Sequence, residues 1–292
     1  MEWSGPPTVE RRQVDVDGRG LSALVWGETP PRLVLIHGGA QNAHTWDTVA
    51  LASAEPLVSV DLPGHGHSSW RADGDYGVAT MARDVSVAVS RIAPAADTAV
   101  GVGLGASVAL LVSEMLAPRI KRLVMVDSVA GTVQKPRAAD GTEVASAVSA
   151  FTSRHHYPSF EAMLERTRAY SPGRSESALY RGIEHNAVPS PDGSWQWRWD
   201  PVQREPRDYA TKELAGALDR FAGHVLVVRG GASDVVTEEG VADIASRCSS
   251  VLLVTIPGAE HGVQGTHPVP LARSIQAFLA GPSADICISK EV

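Results

Sequence analysis

The stretch Ala99-Val-Gly-Val-Gly103-Leu-Gly105-Ala106 decides how this chain folds. A short β-branched run ends in three alternating glycines, and an apolar helical pattern begins directly after them. Glycine adopts strained or positive-φ backbone at little cost, as a sharp strand-to-helix turn requires. The same grammar recurs on both sides of this turn. Short apolar runs at Arg32–Ile36, Leu57–Val60, Arg122–Val126, His224–Val228 and Val251–Thr255 each end in a Gly- or Asp-containing turn. Their lack of polar alternation predicts strands buried on both faces, and the helical stretches between them predict parallel pairing. Thr8–Asp17 and Leu21–Trp26 read as an opening antiparallel hairpin. The fold class is therefore α/β, with a mostly parallel, doubly wound sheet.

The rhythm breaks once. From residue 131 to residue 215 no strand–helix repeat is visible, and the segment is too long for a loop. Helical patterns over Thr142–Ser153 and Ser159–Tyr170 predict an inserted helical cap, with the core formed by residues 1–130 and 216–281. Residues 282–292 have no periodicity and are expected to form a flexible tail.

Bulk composition bounds the partners. The chain has 292 residues, a net charge of -7 and no basic block, which excludes a nucleic-acid footprint and argues against attraction to anionic membranes. No segment reaches the roughly 18 apolar residues of a membrane span, and the first residues lack a basic stretch followed by an apolar one. A cytoplasmic protein acting on a small molecule is expected, as a monomer or small homo-oligomer, without a cofactor. Cys248 and Cys287 stand in no disulfide or metal-ligand pattern.

In a doubly wound sheet, ligands sit beyond the carboxyl ends of the strands. Those positions read His37-Gly38-Gly39, Asp61-Leu-Pro-Gly-His65-Gly-His67-Ser68, Gly101-Val-Gly103-Leu-Gly105, Asp127, Gly231-Ala-Ser-Asp234 and Pro257-Gly-Ala-Glu260-His261. In this order the motifs resemble those of the α/β-hydrolase superfamily, in particular its capped bacterial small-molecule hydrolases, over about residues 10–280. The resemblance implies that the backbone N–H groups of Gly39 and Leu104 form an oxyanion hole, that His261 is the base and that Asp234 is its acid. Asp127, at the end of the preceding strand, is the alternative acid. Physical chemistry supports such roles: an imidazole passes protons near neutral pH, and a carboxylate on its other nitrogen fixes the tautomer and stabilises the imidazolium. Gly38, Trp46 and Trp197 are the candidates for lining the substrate site. The Trp195-Gln-Trp-Arg-Trp199 cluster otherwise reads as packing of the cap.

The elbow departs from the family pattern G-x-S-x-G, because Gly103 stands where the resemblance implies a serine nucleophile. The turn survives this exchange, since glycine accepts strained backbone, but the acyl-enzyme route is lost. Ser107 and Ser128 have nothing that marks them as replacements. Three readings follow. The chain is a serine hydrolase inactivated by a Ser-to-Gly substitution, a nucleophile-free enzyme in which His261 acts directly on substrate or water, as in a lyase or cyclase, or a non-catalytic relative. Retention of Gly39, Asp234 and His261 favours an enzyme acting on a small ester, lactone or ketone-type substrate. Gly101-x-Gly103-x-x-Ala106, with Asp127 beyond it, also fits a loose dinucleotide fingerprint, but that reading leaves the histidine turn unexplained. His44, His65 and His67 lie on loops near the expected mouth, and with no third ligand evident for His65-x-His67, no metal is expected.

Overall fold

In the strand Leu33–Ile36 (β3), Leu33 and Leu35 enter the core on one face of the sheet while Val34 and Ile36 enter the core on the other. This two-sided burial organises the molecule. The computed structural model describes residues 3, 5–129, 155–170, 173–204 and 211–281. The main sheet comprises β1 (Val9–Val16), β2 (Arg19–Trp26), β3, β4 (Leu57–Val60), β5 (Thr98–Val102), β6 (Arg122–Val126), β10 (His224–Gly230) and β11 (Val251–Ile256). Their spatial order is β1-β2-β4-β3-β5-β6-β10-β11. The β1–β2 and β2–β4 pairs are antiparallel and the others parallel. The opening hairpin turns at Asp17 and Gly18, both with positive φ, as the twist of a tight hairpin demands.

Helices cover both faces. On one side, α2 (Val78–Ile92) buries Val78, Met81, Ala82, Val85 and Val89, a stripe at helical spacing. Beside it, α3 (Leu104–Met115) is buried on nearly every side, as a helix under other helices must be. On the opposite side, α1 (Asp47–Ser53) and α9 (Pro268–Ala280) pack Val49, Ala50, Leu271, Ala272 and Ile275 against Leu33, Leu35, Val100 and Val124.

The segment expected to form a helical cap falls between β6 and β10. Its described part contains α4 (Phe160–Tyr170), α5 (Glu176–Asn186) and a small antiparallel sheet of β7 (His156–Tyr157), β9 (Trp195–Trp197) and β8 (Ala187–Pro189). It is thus mixed, not purely helical. The core also resumes earlier than residue 216: the helix α6 (Thr211–Arg220) places Leu214, Ala217 and Leu218 in the main apolar cluster with α2 and α3, and α7 (Glu238–Arg247) adds Ile244 to it. The expected helix at Thr142–Ser153 and the tail at 282–292 lie outside the described residues. No helix among the described residues is long and apolar enough to cross a membrane.

Candidate active site

The elbow joins β5 to α3, and sterics explain its glycines. A β-carbon on Gly101 would lie 2.2 Å from the carbonyl oxygen of Gly105, and one on Gly105 would lie 2.2 Å from that of Ile36. Neither backbone can retreat, so these positions exclude side chains. Gly103 sits between them at φ 53°, ψ -120°. Here the constraint is conformational and the space is open: a β-carbon would meet only His261, at 3.6 Å from Nε2 and 3.9 Å from Cε1.

His261 reaches this point from the turn after β11, and its Nδ1 is 2.9 Å from Oδ2 of Asp127. The partner is therefore Asp127 and not Asp234, which is exposed and has no hydrogen bond or ion pair among the described residues. The reason is positional. Asp127 follows β6 directly, is fully buried, and its carboxylate also accepts the Gly230 N–H at 2.9 Å and the Ser233 hydroxyl at 2.5 Å. Three donors hold the charge in place. Asp127 adopts φ 42°, a left-handed conformation that aspartate tolerates better than most residues. The Gly231–Asp234 turn thus supports the acid through Ser233 instead of supplying it.

The turn after β3 is held from beneath. His37 accepts the Leu62 N–H on Nε2 at 3.0 Å and faces the Gly38 carbonyl with Nδ1 at 2.7 Å. His65 likewise accepts the Ala40 N–H at 3.3 Å and faces the Pro63 carbonyl at 3.1 Å. Burial pushes both imidazoles down, His65 to about 3, so each stays neutral and keeps one donor and one acceptor. Because His65 takes the Ala40 N–H, that group is engaged, whereas an added β-carbon on Gly39 would meet nothing within 4 Å. Leu104 opens α3, where a backbone N–H has no acceptor within its helix. The Asp61 loop closes the same region: its carboxylate accepts the N–H groups of Ala43 and His67 and pairs with Arg11 at 2.9 Å.

Three expected substrate contacts are not met. Trp46 is fully buried in the core between the sheet and α1. Trp197 is buried in the cap's own cluster with Tyr157, Met163, Ile183 and Trp199, so the packing reading holds for that tryptophan. Gly38 is buried, and its N–H bonds Gln41 at 3.1 Å, which makes it a part of the turn. Glu260 is exposed. Ser107 is buried along α3.

A second His–Asp group joins His44 and Asp47, neighbours at i and i+3, to Arg11, Arg181 and His185 from distant parts of the chain. His44 Nδ1 is 2.9 Å from Oδ2 of Asp47, and its Nε2 is 2.8 Å from Arg11 Nη2. The His44 ring stacks on His185 of the cap at 3.7 Å between centroids, and Arg181 of α5 pairs with the same Asp47 carboxylate. Although donor atoms of His44, Asp47 and His185 lie within 4.8 Å of one another, Arg11 and Arg181 supply the positive charge around Asp47. The near-parallel rings, at 11°, do not aim lone pairs at a common point. The group ties the cap to the core. Asn186 reinforces it by donating to the Ala40 carbonyl at 2.7 Å, and Asn42 by donating to the His185 carbonyl at 3.0 Å.

Comparison with known proteins agrees with this architecture. Residues 33–274 match the model of the alpha/beta hydrolase family. The chain is 36% identical over 278 residues to the esterase Rv0045c of Mycobacterium tuberculosis, covering 94% of this chain and 91% of that protein. A solved structure of that esterase superposes with a TM-score of 0.82 over 95% of this chain and 93% of the other, at 34% identity. The 3-hydroxybutyrate-oligomer hydrolase of Cupriavidus necator is 27% identical over 272 residues, 87% of this chain and 90% of that one. With its elbow, histidine turn and sheet order in place, the chain belongs to the alpha/beta hydrolase family.

Proposed function

We propose that this protein is a hydrolase of small organic esters or lactones in which His261 acts as general base on water, oriented by Asp127. The observation that carries this reading is the 3.6 Å between His261 Nε2 and the β-carbon position of residue 103, with Nε2 accepting no hydrogen bond among the described residues. Nδ1–H donates to Asp127, which leaves Nε2 as the acceptor. In the proposed reaction Nε2 takes a proton from a water placed above Gly103, and the water oxygen attacks the ester carbonyl. The N–H groups of Gly39 and Leu104 stabilise the resulting oxyanion. The imidazolium, held by Asp127, then returns its proton to the leaving alkoxide, so acid and alcohol are released and the base is regenerated. The esterase and hydrolase names of the similar proteins support the reaction class. No cofactor enters this scheme, and its partner is a small-molecule substrate met by a monomer or small homo-oligomer.

The same distance favours a second reading, in which residue 103 once carried a serine. Space exists for the side chain, and only His261 would touch its first carbon. A paired assay separates the two, using p-nitrophenyl esters and simple lactones with fluorophosphonate labelling. Slow turnover by the native chain that disappears in His261→Ala supports water activation. In Gly103→Ser, labelling together with a gain of about 10³-fold or more in turnover identifies a disabled serine hydrolase. Turnover that is indifferent to His261→Ala in both backgrounds overturns the proposal.

A further inference from the structure

Arg174 enters the seam between cap and core just before α5. Its guanidinium fits where two glycines leave room: a β-carbon on Gly182 of α5 would lie 3.4 Å from Nη2, and one on Gly265 of α8 (Val263–Thr266) would lie 3.3 Å from Nε. Nη2 donates to the Ala178 carbonyl at 3.1 Å, while Nε is enclosed and has no acceptor among the described residues. No carboxylate pairs with it among the described residues, and burial pushes its pKa down without an acidic neighbour to offset this. The guanidinium is half-buried and stays charged, and no anion among the described residues offsets its partial desolvation.

Its location gives the charge a use. Gly265 follows His261 by four residues, and a β-carbon on Gly173, the residue before Arg174, would be 3.9 Å from Oε2 of Glu260, so Arg174 lies against the turn that carries the histidine. A guanidinium offers two parallel N–H donors in a planar fork, which match the two oxygens of a carboxylate. One cation also balances one carboxylate, whereas a phosphate dianion would leave charge buried.

We propose that Arg174 forms a carboxylate subsite of the substrate pocket, so that this protein selects esters carrying a free carboxylate over uncharged esters of the same size. The proposal builds on the ester reading but is tested without turnover. Binding of monobenzyl succinate and of benzyl butyrate to the native chain is measured by titration calorimetry. The monoester is expected to bind about tenfold more tightly or better, Arg174→Gln to abolish that preference, and Arg174→Lys to keep part of it. Equal affinity for the two probes in the native chain, or a preference that survives Arg174→Gln, overturns the subsite. Should Arg174→Gln fail to fold, the ¹⁵N resonance of the native Arg174 Nε decides: a shift on adding monobenzyl succinate supports the subsite, and no shift at saturation overturns it. Selective binding in a chain whose Gly103→Ser variant cleaves no ester would sink the ester reading and leave the carboxylate site standing.

Discussion

Two His–Asp pairs with the same geometry sit in this molecule, and they differ in what meets the second ring nitrogen. In each, Nδ1 of the imidazole lies 2.9 Å from a carboxylate oxygen of a buried aspartate, Asp127 for His261 and Asp47 for His44. The difference lies at the other nitrogen. Nε2 of His44 is taken by Arg11 and its ring is covered by His185, whereas Nε2 of His261 faces the open position above Gly103. A histidine oriented by aspartate becomes a base only where its distal nitrogen meets space for a reactant; otherwise it is a polar fastener.

The comparison is broken most severely by removing the carboxylates. In the Gly103→Ser background, Asp127→Asn is expected to lower kcat by about 10⁴-fold, because an amide would hold the imidazole in the wrong tautomer. Asp234→Asn should change it by less than about twofold, and steady-state rates of the two variants check the assignment. Asp47→Asn acts on the other pair. It leaves Arg181 and His44 without their anion and is expected to cost about 2 kcal/mol of stability, read from urea midpoints, with a far smaller effect on kcat.

The smallest expected effect concerns pH. Burial, then the neighbouring His44 and Arg181, depress His185 from 6.5 to about 4, against the weaker opposing pull of Asp47 and Glu184. The unfolded chain therefore binds a proton at this residue below pH 6.5 that the folded chain refuses until about pH 4. Stability should fall as pH drops through that window, and Tm measured between those limits should slope less steeply in His185→Asn. An unchanged slope would show that the stacked pair does not hold the cap in an acid-sensitive way. His65, depressed to about 3 by burial, supplies a background slope of the same sign in both proteins.

Much of the fold around the candidate site was legible in the chain. The strand runs matched the sheet to within a residue or two at most ends, because strands buried on both faces must be apolar throughout and must stop at turn residues. Gly103 and His261 were found by their turns, and the structure brings them together. Asp234 was preferred over Asp127 on resemblance, and the geometry reverses that order: both follow neighbouring strands, and only three-dimensional register shows that Ser233 bends its turn toward Asp127 while Asp234 faces solvent. Trp46 and Trp197 illustrate the opposite error, since a large aromatic near a motif looks like a pocket wall until its burial is known.

By itself, then, the sequence determined the α/β layering and the absence of a side chain at position 103, because each depends on local pattern or residue identity alone. Tertiary structure decided which aspartate reaches His261, which histidines fasten the segment after β6 to the sheet domain, and that Arg174 stands half-buried beside Gly265 with no carboxylate among the described residues. Those outcomes depend on side chains more than a hundred residues apart, or on a partner that is missing, and neither leaves a periodic trace along the chain.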